Sequence, residues 1–125
     1  MSVAFKKRTG TVAVVVAALA GSNVTATLLD MTSILSSTQQ FSVRVYWFAK
    51  DDGDTTKGAM GQRQAVLRES GGTLVINGQN SGDTTNTIGA MVTPTLQVSG
   101  AVLQMLVTND GGITGEIQMR VELDY

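Results

Sequence analysis

The sequence predicts an all-β fold: a single-domain antiparallel β-sandwich, jelly-roll-like, of seven or eight short strands. Three observations carry this. Apolar residues alternate at a period of two, most cleanly over residues 41–50 and 116–124, as in strands with one buried face. Turn-forming clusters separate the alternating segments: Gly21-Ser22-Asn23, Asp51-Asp52-Gly53, Ser70-Gly71-Gly72 and Asn109-Asp110-Gly111-Gly112. Charged residues make up only 15% of the chain, which holds 14 Gly. Soluble domains commonly carry about 25% charge, so this composition suits a turn-rich β-protein whose surface is largely covered by partners.

The chain has 125 residues, enough for one domain with one core and no covalent staples. It divides into residues 1–40, N-terminal strands and a connection forming an assembly arm, and residues 41–125, the sandwich core.

In the first part, Lys6-Lys7-Arg8 precedes the apolar run Thr11 to Ala20, which closes on Ala18-Leu19-Ala20. That is the form of a secretory signal peptide. The run falls short of the roughly 20 apolar residues that span a bilayer. Dense β-branched residues from Val12 to Val16 favour a strand. Residues 11–19 are therefore read as a retained strand, buried on both faces or covered by a neighbouring subunit, with Val12, Val14 and Val16 as interface candidates. A second strand covers residues 24–31, with Val24, Ala26 and Leu28 on one face. The Ser-, Thr- and Gln-rich connection to Gln40 is tied to the core through Ile34 and Leu35.

The segment Phe41 to Lys50 organises the second part, with four of the six aromatic rings, including the only Trp. Phe41, Val43, Val45, Trp47 and Ala49 share one face, which centres the core on Trp47. Ser42, Arg44, Tyr46, Phe48 and Lys50 share the other. Arg44, Tyr46 and Phe48 make that second face an expected contact, with a subunit or with another sheet of the same chain, because large apolar patches usually mark contacts. A return strand follows over 59–69, then a short strand over 73–77. Gly78 to Thr87 has no apolar residue and is expected to be an exposed loop. Residues 88–99 form a strand that Pro94 confines to an edge or breaks. Residues 101–108 bury Ala101, Leu103, Met105 and Val107. Residues 116–124 turn Ile117, Met119, Val121 and Leu123 inward, and Gln118, Arg120, Glu122 and Asp124 outward.

The residue types restrict the chemistry. There is no Cys and no His, which removes disulfides, thiol nucleophiles, thiolate or imidazole metal sites and the commonest general base. A calcium loop read from Asp52 fails, because Lys57 stands where Gly is needed and Arg63 where Glu is needed. Asp51-Asp52-Gly53 is then a hairpin tip. Asp51, Asp52, Asp54 and Asp83 sit in solvated tips with no apolar pocket to raise a pKa. No nucleophile elbow or phosphate loop occurs. No cofactor and no enzyme activity are expected. A net charge of −1 gives no bulk attraction to nucleic acid or membrane, so packing is preferred to base stacking on the Arg44, Tyr46, Phe48, Lys50 face.

Over about residues 41–125 the chain resembles small phage virion structural proteins and fibre domains. The shared layout starts with an aromatic strand and Asp-Gly tip, here Val45-Tyr46-Trp47-Phe48-Ala49-Lys50-Asp51-Asp52-Gly53. A return strand, paired glycines and a polar loop follow, from Ala65-Val66-Leu67-Arg68 through Gly71-Gly72 to Ser81-Gly82-Asp83. A hydrophobic strand, a turn and an alternating terminal strand close it: Leu103 to Thr108, Asn109-Asp110-Gly111-Gly112 and Ile117 to Leu123. Met119 stands where the family's terminal strand usually has Trp. The resemblance implies a jelly-roll-like virion protein, often a symmetric oligomer, with a trimer as the number to expect. The leading expectation is a capsid decoration or cement protein, located in the virion, whose partners are itself and other virion proteins such as the major capsid protein. The alternatives are a tail or head-fibre tip that binds a host glycan or receptor, and an exported adhesin or pilus-like subunit.

Overall fold

Alternation of apolar side chains across glycine-rich turns produces eight strands in the residues described by the computed structural model, 11–32, 40–86, 88 and 92–124. They are β1 (Thr11–Ala20), β2 (Val24–Asp30), β3 (Gln40–Asp51), β4 (Gly58–Ser70), β5 (Thr73–Asn86), β6 (Val92–Ser99), β7 (Val102–Asn109) and β8 (Thr114–Asp124). A five-stranded sheet has the order β1-β8-β3-β4-β5, and a three-stranded sheet the order β2-β7-β6. Every pairing is antiparallel. The expected all-β sandwich is therefore what forms. The jelly-roll detail is not: β3, β4 and β5 follow one another within one sheet, where a jelly roll distributes two Greek keys over both.

The core lies between the sheets. From β3 it takes Phe41, Val43, Val45, Trp47 and Ala49, none more than 4% exposed. Beside them β8 sets Ile117, Met119, Val121 and Leu123, with Trp47 directly opposite Met119. Leu103, Met105 and Val107 of β7, Ala26 and Leu28 of β2, and Val92 and Leu96 of β6 complete it from the other sheet. Burying this many large side chains, each contributing about 1.5–3 kcal/mol, is what drives the two sheets together. Pro94 sits in β6, an edge strand, where a missing N–H is tolerated.

Two expectations about the N-terminal part are corrected. The anticipated assembly arm is, over its described residues, built into the sandwich: β1 pairs with β8, and β2 pairs with β7. The reason is the opposite end of the chain, since β8 provides a ladder on both sides and β1 fills one of them. Nor is β1 buried on both faces, because Val12, Val14 and Val16 are exposed by 43%, 67% and 56%. Only Leu19 of this strand enters the core. The roles expected of Lys6-Lys7-Arg8, Ile34 and Leu35 lie outside the described residues.

A third correction concerns Gly78 to Thr87. To Asn86, the last of these residues described within a strand, it continues β5 as a ladder partner of β4. Lack of apolar residues correctly implied exposure, and residues 78–83 are exposed. It did not imply loop, because an edge strand can satisfy its backbone on a long neighbour while its side chains face water. The pairing slips at Met60/Gly61 and again at Val66/Leu67. Gly61 is required at the first slip: a Cβ there would lie 2.6 Å from the Gly82 carbonyl oxygen. The β4–β5 turn places Gly71 and Gly72 at φ +62° and +85°, as a two-residue hairpin loop with both central residues left-handed requires.

Candidate interaction face and the buried arginine behind it

The five-stranded sheet packs on its partner with one face only, and the register assembles the other. One row runs Val14, Arg120, Tyr46, Gln62 across β1, β8, β3 and β4. The next runs Val16, Gln118, Phe48, Met60. Phe48 and Met60 are 43% and 47% exposed. Among the described residues, the exposed large apolar side chains are Val12, Val14, Val16, Phe48, Met60 and Val66. Five share this face, and Val12 sits in the bulge at its β1 margin. The outer face of the three-stranded sheet is more polar. It carries Thr25, Thr27, Thr93, Thr95, Gln97, Gln104 and Thr108, with Val102 and Leu106 half-buried among them.

Polar contacts fix the middle of the face. Arg120 stacks on the Tyr46 ring with its guanidinium carbon 4.7 Å from the centroid, a cation–π arrangement. Arg44 donates from Nη1 to the Tyr46 hydroxyl at 3.3 Å. That hydrogen bond, then charge interactions with Tyr46, raise the Arg44 pKa further above its ordinary value, so the group stays cationic. Tyr46 is thus held between two arginines. Beyond it lies a more polar row, Glu122, Arg44, Gln64 and Asn80. Here a hollow of about 330 Å³ is lined by Ser42, Arg44, Gln64, Gln79, Glu122 and Asp124 among others. A second, of about 450 Å³, lies over Val14, Tyr46, Phe48, Met60, Gln118 and Arg120. At the far end Lys50 and Glu116 form an ion pair at 2.8 Å. Glu116 is held below the usual carboxylate range, first by its hydrogen bond from Lys50, then by one from Gln118. The same bond raises Lys50.

The structure therefore brings together five of the six sequence candidates, Val14, Val16, Arg44, Tyr46 and Phe48, on one outward surface, with Val12 at its margin. Among the described residues no second sheet lies beneath Arg44, Tyr46 and Phe48, because the three-stranded sheet packs on the Trp47 side. Met60 completes the patch and sequence reasoning passed it over. Its signal was phase: it alternates against the buried Ala59 and Ala65.

Behind the face is a residue the sequence reading did not single out. Arg63 is 5% exposed. It shares the inward phase with Ala65 and Leu67, which was the available clue. Its Nε donates to the Pro94 carbonyl on the opposite sheet at 2.8 Å. Its Nη1 donates to the Gln62 carbonyl at 2.9 Å and to Asp83 Oδ1 at 2.8 Å. The guanidinium carbon sits 5.3 Å from the centroid of Trp47. A buried cation is tolerated only with such compensation. Asp83 reaches it from the polar half of β5, and the glycine at position 61 permits that approach. Among the described residues Trp47 Nε1 itself has no hydrogen-bond partner.

At the hairpin tip, the carboxylates cap turns. Asp51 Oδ1 accepts from the Gly53 N–H at 2.8 Å, and Asp54 Oδ1 accepts from the Thr56 N–H and hydroxyl at 3.1 and 2.6 Å. Among the described residues no three acidic side chains converge as metal ligands would.

No protein-family model and no curated protein matches the chain. Among solved structures it is similar to a tailspike protein of Acinetobacter baumannii bacteriophage Fri1, a capsular polysaccharide depolymerase, with TM-score 0.49 and 9% identity over 89% of this chain. It is also similar to the tailspike of Acinetobacter baumannii phage AM24, with TM-score 0.37 and 11% identity over 87%. The chain spans 16% of the first and 22% of the second.

Proposed function

We propose that this chain is a non-catalytic structural module of a bacteriophage virion, in a tail or fibre, that works by laying the outer face of its five-stranded sheet on another virion subunit. The observation that carries the reading is one-sidedness. The exposed large apolar side chains among the described residues collect on one face or its margin, and patches of that kind mark protein contacts. The virion assignment comes from the resemblance in layout over residues 41–125. A tail or fibre is preferred to capsid cement on structural grounds. The cement reading rests on small size, low charge, absent chemistry and an apolar N-terminal strand, and that strand, β1, is already paired with β8 within the chain. The same pairing weighs against an exported adhesin, since cleavage after Ala20 would remove a sheet strand and Leu19 from the core. The partner is another copy of this chain, in the trimer the resemblance implies, or a different virion protein.

A second reading has its own observation. The polar hollow, one row from Tyr46, offers Arg44, Gln64, Gln79, Glu122 and Asp124, planar hydrogen-bonding groups that suit the hydroxyls of a saccharide.

Phe48→Ser with Met60→Ser tests the main reading. Light scattering and circular dichroism should show a folded protein whose oligomer or particle incorporation is lost. If the double variant assembles like wild type, the face is not the docking surface. Binding of wild-type protein on a glycan array, abolished by Arg44→Ala and indifferent to Met60→Ser, would instead establish the saccharide reading.

A further inference from the structure

We infer that the free edge of β1 pairs with the β1 edge of a second copy of this chain, joining two five-stranded sheets into one continuous sheet across a two-fold axis. This contact uses an edge and not the outer face, so it stands or falls separately from the docking proposed above.

Among the described residues β1 is an end strand, hydrogen-bonded to β8 on one side only. Its other side presents backbone N–H and C=O groups that no described strand pairs, a template for a further strand. Natural edges are usually protected by charge, Pro, bulges or shortness. Thr11 to Ala20 contains no charged residue and no Pro, runs for 10 residues, and has its irregularity only at its start, between Thr11 and Ala13. The opposite edge, β5, is built the other way. From Asn77 onward it carries no apolar side chain, it exposes Asp83, and its pairing is bulged twice. One edge of this sheet is guarded and the other is left open.

Side-chain burial says what kind of occupant fits. The outward Val14 and Val16 are 67% and 56% exposed. The inward Ala13, Val15 and Ala17 are only partly buried, although they lie on the core side of the sheet. Both rows of one strand are thus incompletely covered. A subunit laid on the outer face would cover the first row alone. A strand added in the plane of the sheet flanks both rows and satisfies the backbone.

The occupant is a second β1 because the strand complements itself. In antiparallel pairing centred on Val15, Val14 of one copy stands opposite Val16 of the other, Ala13 opposite Ala17, and Val15 opposite Val15. Each opposed pair is apolar and uncharged, and each contact off the axis occurs twice, as a two-fold interface requires. A charged strand would bring unmatched side chains against these rows. Because the axis is perpendicular to the sheet, the two outer faces end on the same side, and the patch containing Phe48 and Met60 is presented twice.

Amide exchange followed by NMR tests this on the wild-type chain. In a lone edge strand, alternate β1 amides bond to β8 and the intervening ones exchange rapidly. On raising the concentration, the intervening amides between Ala13 and Leu19 should slow by roughly tenfold or more, in step with a doubling of mass by light scattering. Ala17→Lys places an inward charge at the edge and should restore the alternate pattern and abolish the doubling of mass. Phe48→Ser should leave pairing intact even where it abolishes docking. If alternate exchange persists at every concentration, the inference is wrong, and that measurement decides even if Ala17→Lys fails to fold. A dimer that forms unchanged in Ala17→Lys would equally overturn it.

Discussion

Replacing Arg63 by Met retains a long apolar stem in the inter-sheet space and removes the guanidinium. The Pro94 carbonyl, which accepts from Nε at 2.8 Å in a buried setting, then loses its side-chain donor, a cost of about 1–3 kcal/mol. Asp83 also loses its partner, but its side chain is 41% exposed and rehydrates, so that half of the ion pair adds at most about 1 kcal/mol. The stack over Trp47 is lost as well. Opposing these terms is relief from burying a cation, itself worth several kcal/mol in unfavourable cases. The expected net loss for Arg63→Met is about 1–3 kcal/mol, led by the orphaned carbonyl. Arg63→Ala also deletes packed methylenes at about 0.8 kcal/mol each, which brings its loss to about 3–5 kcal/mol. Arg63→Lys keeps the charge without the planar fork that reaches two carbonyls and a carboxylate, and should not restore wild-type stability. Urea denaturation reads all three as shifts in midpoint at constant slope. An Arg63→Met protein as stable as wild type would show that the cation is merely accommodated and that apolar packing alone joins the sheets.

Trp47→Ala should lose about 3–5 kcal/mol, as large core truncations do, while Trp47→Phe should cost less, because the unpartnered Nε1 contributes no hydrogen bond to forfeit; a denaturant midpoint unmoved in Trp47→Ala would mean the ring is not in the core. Gly61→Ala forces a Cβ against the Gly82 carbonyl oxygen at 2.6 Å and should destabilise by about 1–3 kcal/mol, with thermal melting by circular dichroism as the measure. Lys50→Gln should return the Glu116 titration, followed by carboxyl NMR, upward toward its ordinary value of 4.5. Because the folded pKa of Glu116 is lowered, its contribution to stability is present above that value and fades as pH falls through the folded pKa. The Lys50→Gln protein should therefore lose less stability on acidification than wild type.

Phase was the part of this structure that the sequence stated outright. Phe41 to Lys50 and Glu116 to Asp124 alternate so regularly that their inward and outward sets follow from residue order alone, and burial agrees residue by residue. Adjacency was not available in the same way. Val14 and Phe48 belong to one surface only because β1 and β3 both pair with β8, and β8 comes from the far end of the chain. No local pattern encodes that meeting. Gly78 to Asn86 shows a different limit. Hydropathy reports whether side chains are buried, while backbone conformation at an edge depends on whether a neighbour offers a ladder. Arg63 was legible in principle, since a charge in phase with Ala65 and Leu67 faces inward. Its partners were not, because Pro94 lies on the other sheet and Asp83 beyond two bulges.

The unequal widths of the two sheets connect these observations. Five strands face three, and at the margins of the wider sheet the inward Ala13, Val15 and Ala17 of β1 and Ile76 of β5 are only partly buried. At the β5 margin the chain answers with water-compatible residues, Gln79, Asn80, Ser81 and Asp83, and turns one of them, Asp83, into the counter-ion of a buried arginine. At the β1 margin it places valine and alanine on both faces of an unguarded edge. Had the uncovered width been only a by-product of topology, both margins would be expected to carry polar side chains, since exposed apolar strands invite aggregation. The asymmetry is instead confined to the side where the outer patch continues, from Val14 and Val16 to Phe48 and Met60. The apolar margin and the apolar face therefore form one connected surface, and its extent is set by strand order as much as by residue type.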